Sequence, residues 1–152
     1  MGLSGWLRNA LNRLFGALKK QPVRSTQTAA DEHSNLARFI FQDAHCKRSI
    51  AKPKPNAFLP HPPNLKISAL WRDQLPEAEI WTIGDLLGAN RGKPPLARAD
   101  FNLAAVREAK LSAEADPEPH PRHVNLSGWP IEKDEQKAVA ILLCQRSTLI
   151  MR

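Results

Sequence analysis

The chain has no tyrosine, only two cysteines and no long apolar run. Cys46 and Cys144 are far apart and form no C-x-x-C pair, so we expect reduced, buried thiols rather than a disulfide framework. No apolar stretch approaches the roughly 18–20 residues of a transmembrane helix, so no transmembrane segment is expected. Polar residues also interrupt the start of the chain, unlike a signal peptide. These absences favour a cytoplasmic location, or one peripheral to the inner face of the membrane.

Acidic residues are missing from the first 30 positions, which hold five basic ones: Arg8, Arg13, Lys19, Lys20 and Arg24. The formal charge of the whole chain is +7, so subtracting the +5 of this segment leaves +2 for residues 31–152. A basic protein favours anionic partners such as nucleic acid, acidic lipid or an acidic protein surface. Most of the basicity, however, belongs to the N-terminal segment.

Residues 3–20 predict a cationic amphipathic helix. Its apolar residues recur at steps of three and four and so share one face. We expect this helix, within a segment spanning residues 1–20, to dock on an anionic membrane surface or in the groove of a protein partner. Packing on its own domain is the alternative. Residues 21–34 have little apolar content and predict a flexible linker. The candidate docking residues are Trp6, Leu7, Leu11, Leu14, Phe15 and Leu18.

Residues 35–152 predict one compact α+β domain, with a small mixed or antiparallel sheet packed with about three helices. The Pro-rich stretch 43–64 is expected to be a loop that Phe58 and Leu59 pin to the core. Alternation predicts strands, and three- or four-residue spacing predicts helices. The predicted elements are strands over 36–42, 65–71, 111–115 and 122–126, and helices from Pro76, over 101–109 with Asp100 as cap, and over about 133–147.

The basic stretch within this loop is a candidate ligand-binding segment. Lys and Arg with an exposed aromatic residue can grip phosphates and stack on a base, which makes nucleic acid a candidate partner. A solvated run of charges is the alternative. The candidate ligand-binding residues are Lys47, Arg48, Lys52, Lys54 and Phe58.

Two histidine-bearing segments, DAHCKR and HPRH, flank predicted strands. If they meet, His45 and His123 could act as general base and acid on a phosphodiester while Arg122 stabilises the developing charge. Asn125 shares a strand face with His123 and could orient it. The alternative is ordinary loop histidines. A metal site is not expected, because the histidines and cysteines lack zinc-site spacing. No cofactor is expected either, since P-loop and dinucleotide-binding motifs are absent.

The segments ARFIFQDAHC, KPNAFLP, AEIWTIGDLL and RHVNLSGWPIEKDEQK resemble segments of small uncharacterised bacterial proteins. The resemblance spans about residues 36–147 and implies no activity. It supports treating this range as one unit with an added N-terminal segment.

The sequence therefore favours an accessory binding module that recognises an anionic ligand or protein partner and is positioned by its N-terminal helix. A small metal-independent phosphodiesterase or ribonuclease, of the kind found among toxins, is the alternative enzyme hypothesis. A structural subunit of a larger assembly is a third. Nothing in the sequence indicates an oligomeric state.

Overall fold

The structure is a computed structural model that describes residues 33–152. The helix predicted over residues 3–20 and nearly all of the linker lie outside this range. Within it, no helix combines the length and apolar character needed to cross a membrane.

Six antiparallel strands form the main sheet, in the order β6-β7-β4-β1-β5-β8. Alternating apolar positions favour these strands because one face can then be buried. Three α-helices accompany the sheet, so the predicted α+β class is confirmed. The strands are β1 (Asn35–Ile40), β4 (Ile67–Trp71), β5 (Ala97–Asn102), β6 (Ser112–Ala115), β7 (His123–Ser127) and β8 (Thr148–Met151).

The helices are α1 (Glu77–Ala89), α2 (Leu103–Glu108) and α3 (Lys133–Gln145). The Pro-rich stretch between β1 and β4 is shaped by three short 3-10 helices, Asp43–His45, Arg48–Ile50 and Pro55–Phe58. It also holds a separate hairpin of β2 (Cys46–Lys47) and β3 (Lys52–Pro53). Proline suits such short elements because its fixed φ fits a helix start, as at Pro55.

Helices cover both faces of the sheet. The larger core joins Leu36 and Ile40 of β1 to the residues of α2, α3 and the 3-10 helix Pro55–Phe58. The smaller core joins Ala37 and Leu70 to Ile80 and Ile83 of α1 on the opposite face. Successive residues of β1 thus serve different cores, as the two-residue period of a strand requires.

Two strands of the main sheet and one helix cap differ from the sequence-based expectation. β5 and β8 were not expected as strands, and the cap assigned to Asp100 is wrong. The helix cap of α2 is Asn102, whose side chain accepts a hydrogen bond from Ala105 N at 3.0 Å. Asp100 instead lies within β5 and contacts Arg98. Because β5 continues to Asn102, the helix begins only at Leu103, too late for a cap at position 100.

Candidate functional site

Arg38 lies on the face of β1 that carries the larger core, between Leu36 and Ile40. Its guanidinium donates to two backbone carbonyls, Ala57 O through Nε and Ser68 O through Nη1, the latter at 2.7 Å. β1 pairs with β4 at only two positions, Leu36–Trp71 and Ala37–Leu70. The Arg38 side chain therefore links the two strands where their backbone pairing ends.

Arg91 and Lys93 lie in the turn that follows α1. The backbone N–H groups of both donate to Gly88 O, at 2.9 and 3.1 Å. These bonds satisfy a carbonyl at the helix end and hold the backbone from which both side chains extend. The Arg91 guanidinium stacks over the Phe41 ring, 4.6 Å from its centroid, in a cation–π contact.

His45 and His61 come from the Pro-rich stretch. His45 ends the first 3-10 helix, which contacts the helix Pro55–Phe58 of the larger core. Its carbonyl accepts from Lys54 N at 2.8 Å and so closes the base of the β2–β3 hairpin. His61 is exposed and forms an isolated β-bridge with Lys66.

Electrostatic effects connect these five residues. Burial, and next the charge of Arg91, lowers the pKa of Arg38 to about 10. Burial also lowers the pKa of His45, and the charges of Arg38, His61 and Lys93 lower it further. Each of these effects acts between two groups, and the four pairs together link all five residues. We call this set the basic cluster: Arg38, His45, His61, Arg91 and Lys93.

The basic cluster has no acidic partner within residues 33–152. None of its members forms an ion pair, whereas Arg48, Arg98, Arg146 and Arg152 each contact a carboxylate. The sequence explains part of this, because positions 44–72 contain six Lys and Arg residues and no acid. Its three permanent cations, Arg38, Arg91 and Lys93, therefore have no ion-pair partner in this range.

The predicted basic segment forms the hairpin beside this cluster. Lys47 and Lys52 pair directly across β2 and β3, and the Lys52 Nζ donates to Ser147 O at 3.3 Å. Arg48 contacts the Asp43 carboxylate at 2.6 Å, and this hydrogen bond raises the pKa of Arg48. Lys47, Lys52 and Lys54 are exposed. Four basic residues are thus presented together, one of them already paired.

Phe58 is fully buried and packs edge-on against Phe101, with ring centroids 5.7 Å apart. The prediction that Phe58 is an exposed stacking platform for a base is therefore wrong. Its side chain fills the larger core beneath α3, because the short helix that carries it packs there. The prediction that Phe58 pins the loop is confirmed.

The four residues of the predicted acid–base site come from two parts of the fold, the Pro-rich stretch and the start of β7, and their joint role stays a prediction. His123 lies on β7 opposite Leu70, on the face of the smaller core, whereas His45 ends the first 3-10 helix and is influenced by the charges of Arg38, His61 and Lys93. Arg122 donates through Nη1 to Asp73 O at 2.7 Å. Asn125 shares the strand face of His123, as expected, but its amide donates to Asp116 Oδ2 at 2.8 Å rather than to the histidine.

The surroundings of His123 form a second polar region. The Asp116 carbonyl lies 2.9 Å from His123 Nδ1, so this nitrogen must be the donor. The His123 ring packs edge-on against His120, whose Nδ1 is buried without a hydrogen-bond partner. Burial, and next the charge of His123, lowers the pKa of His120 to about 4. His120 is therefore neutral at pH 7.

An open depression of about 680 Å³ lies over this part of the sheet. Most of its lining side chains are polar, and within it the Asp116 carboxylate is already bound by Asn125. Among residues 33–152, no group of three or more His, Cys, Asp or Glu side chains could hold a metal ion. The depression therefore offers both hydrogen-bonding and ionisable side chains. Its lining is His61, Pro62, Asn64, Lys66, Asp116 and Asn125.

Comparison of the chain with known protein families, with curated proteins and with solved structures finds no match.

Sequence reasoning missed four of the five members of the basic cluster. Arg38, His61, Arg91 and Lys93 are scattered between positions 38 and 93 and follow no motif. One signal was available, namely an arginine at an inward position of a β-type run. A buried charge at such a position requires a specific environment.

Proposed function

We propose that the protein is an accessory binding module that recognises an anionic partner through the basic cluster, and that the N-terminal segment positions it. One observation carries the proposal: five basic side chains from separate parts of the fold influence one another electrostatically, and none of them forms an ion pair with an acid among the described residues. Like charges in proximity repel, and a bound anion relieves that repulsion.

The rest of the described surface supports this interpretation by contrast. Arg146 is matched by Glu108 and Arg152 by Asp85. At least five of the nine arginines in residues 33–152 contact a carboxylate, namely Arg48, Arg72, Arg98, Arg146 and Arg152. The basic cluster departs from this pattern where Arg38 is held in place by two carbonyls and Arg91 by an aromatic ring.

The proposal can be tested by measuring the affinity of the full chain for tripolyphosphate with isothermal titration calorimetry. We expect the double variant Arg91→Ala/Lys93→Ala to bind about a hundredfold more weakly, because it removes two charged hydrogen bonds worth roughly 1.5 kcal/mol each. The matched control is Lys133→Ala/Lys137→Ala on α3, which removes two exposed lysines elsewhere. Equal affinities of the two double variants would contradict the proposal.

The positioning role of the N-terminal segment needs a separate test. Leu11→Asp and Leu14→Asp place acids on the apolar face predicted for residues 3–20. We expect the full chain with both changes to keep its tripolyphosphate affinity and lose its association with membranes or with a protein partner in cell fractions. Unchanged fractionation would show that this face does not position the protein.

A further inference from the structure

The tip of the β2–β3 hairpin carries an exposed apolar side chain among cations. Six consecutive residues, Lys47–Lys52, are exposed, and Ile50 is 57% exposed within them. Three other large apolar side chains are exposed in residues 33–152, namely Ile131, Ile141 and Met151. Ile131 is followed by Glu132, Asp134 and Glu135, whereas no acid lies between Asp43 and Ile50 or for many positions beyond it.

The hairpin is held firmly at its base. Cys46 and Pro53 pair across the two strands and are both buried. The Cys144 Sγ of α3 contacts Pro53 O at 2.7 Å, and Lys54 N donates to His45 O. These contacts fix the hairpin to the larger core, so its tip is presented from a rigid support.

The tip itself has a defined turn. Ala51 N donates to Arg48 O at 3.2 Å, and Ala51 adopts a left-handed conformation with φ of 49°. Ile50 immediately precedes this residue and lies outside both cores. The turn therefore displays an apolar side chain that no described residue covers.

The charges around Ile50 are arranged unfavourably for the isolated protein. Lys47 and Lys52 stand directly opposite each other, and like charges at paired positions destabilise a two-stranded ladder. An anionic surface laid against the hairpin would relieve this repulsion. An apolar side chain at the centre of such a contact gains when it leaves water.

We propose that the hairpin tip binds an anionic lipid surface, with Ile50 inserted among the headgroups and Lys47, Arg48 and Lys52 contacting lipid phosphates. This inference goes beyond the proposed function, because the hairpin tip holds none of the five members of the basic cluster. Cations beside apolar side chains are the arrangement that binds in a membrane interface.

Nucleic acid fits the same surface less well. A phosphodiester backbone offers nothing to an exposed isoleucine. Bases bind by stacking on exposed aromatic rings, but no Phe or Trp side chain in residues 33–152 is exposed. Phe41 is covered by Arg91, and Phe58 is buried. The lipid surface is therefore the occupant that uses both the charges and the apolar tip.

Vesicle co-sedimentation of the full chain tests this inference with two matched variants. Ile50→Ser and Ile131→Ser each remove one exposed isoleucine, but only the first lies on the hairpin. On phosphatidylcholine vesicles containing phosphatidylserine, we expect Ile50→Ser to bind about fivefold more weakly than the parent chain and Ile131→Ser to bind as the parent does. Lys47→Ala/Lys52→Ala should weaken binding by a larger factor, about tenfold or more.

The outcomes separate this inference from the proposed function. If Ile50→Ser and Ile131→Ser bind vesicles equally, the insertion is wrong, and anion recognition stands if Arg91→Ala/Lys93→Ala still weakens tripolyphosphate binding. If Arg91→Ala/Lys93→Ala binds tripolyphosphate as tightly as the parent chain, the proposed function is wrong, whatever the vesicle result. Tight binding of duplex DNA that is insensitive to Ile50→Ser, with weak binding to the vesicles, would replace lipid by nucleic acid.

Discussion

Arg98 and Arg38 both extend from central strands of the sheet, yet their surroundings are opposite in charge. Arg98, on β5, is 3% exposed and contacts both Asp100 and Glu77, with Trp81 stacked 5.0 Å away. Burial alone would lower the pKa of Arg98, but the hydrogen bonds that its guanidinium donates to the two carboxylates outweigh burial and raise the pKa. Arg38 has two carbonyls instead of two carboxylates, and its pKa falls to about 10.

The difference separates a structural arginine from a candidate binding arginine. The Arg98 network fastens α1 to the sheet, because Glu77 and Trp81 both belong to that helix. Its positive charge is neutralised within the fold. The charge of Arg38 is not, and the neighbouring Arg91 adds to it. Arg98 is thus neutralised by two carboxylates, whereas Arg38 keeps a charge that a bound anion could offset.

The largest effect is expected at Arg98. Arg98→Met leaves the buried Asp100 without its closest partner, and breaking a buried pair in this way costs about 3 kcal/mol or more. Urea unfolding measures the loss. The control is Arg146→Met, which breaks an exposed pair with Glu108 and should lose much less. Equal losses would remove the distinction between a structural pair and a surface pair.

Acid should destabilise the fold through His120. Its pKa is about 4 in the folded chain and 6.5 ordinarily, so the unfolded chain takes up the proton first as the pH falls. The free energy of unfolding is therefore highest above pH 6.5. It falls by about 3 kcal/mol as the pH drops from about 6.5 to 4. Urea unfolding at several pH values checks this. The pH dependence should be smaller in His120→Gln, and an identical slope in both proteins would contradict it.

Two glycines of α1 allow a matched test of how the basic cluster is held. A Cβ at Gly84 would lie 2.7 Å from the Phe39 ring, and one at Gly88 would lie 2.3 Å from Lys93 O. We expect Gly84→Ala and Gly88→Ala each to lose about 1–3 kcal/mol by overpacking. Only Gly88→Ala should also weaken tripolyphosphate binding, because it displaces the turn that carries Lys93. Equal binding by the two variants would show that the turn does not position the cluster.

The smallest effect is expected at Asp43. Asp43→Asn removes the exposed carboxylate that contacts Arg48 and so adds one unpaired cation to the hairpin. Stability should change little, because the pair is solvent-exposed. Binding to phosphatidylserine vesicles should strengthen by about fivefold, as one further cation near an anionic surface would provide. Weaker binding would mean that Asp43 orders the hairpin for its partner.

The elements predicted from sequence are those with a clear period. β4, β7, α1 and α3 lie close to their predicted positions because their apolar residues repeat at two- or four-residue steps. β5 was missed since its buried inward residues include two alanines and its other face carries Arg98 and Asp100. A distant helix buries this charge pair, and a local stretch of sequence cannot reveal such a tertiary contact.

The candidate site was less predictable than the fold. The hairpin lysines were expected from their local density, but Arg38, Arg91 and Lys93 come together only through strand pairing and the turn after α1. Phe58 shows the same limit, since a hydrophobic residue in a basic loop is equally compatible with stacking on a ligand and with anchoring the loop. Packing against Phe101 decides between them.

The pKa of His45 tests the central claim most directly, because this residue senses the charges of Arg38, His61 and Lys93. NMR titration of the full chain with and without tripolyphosphate measures it. We predict a pKa below the ordinary 6.5 in the free protein, and a rise when the anion binds and offsets the neighbouring cations. A pKa that is unchanged at saturating tripolyphosphate would contradict the assignment of the basic cluster as the anion-binding site.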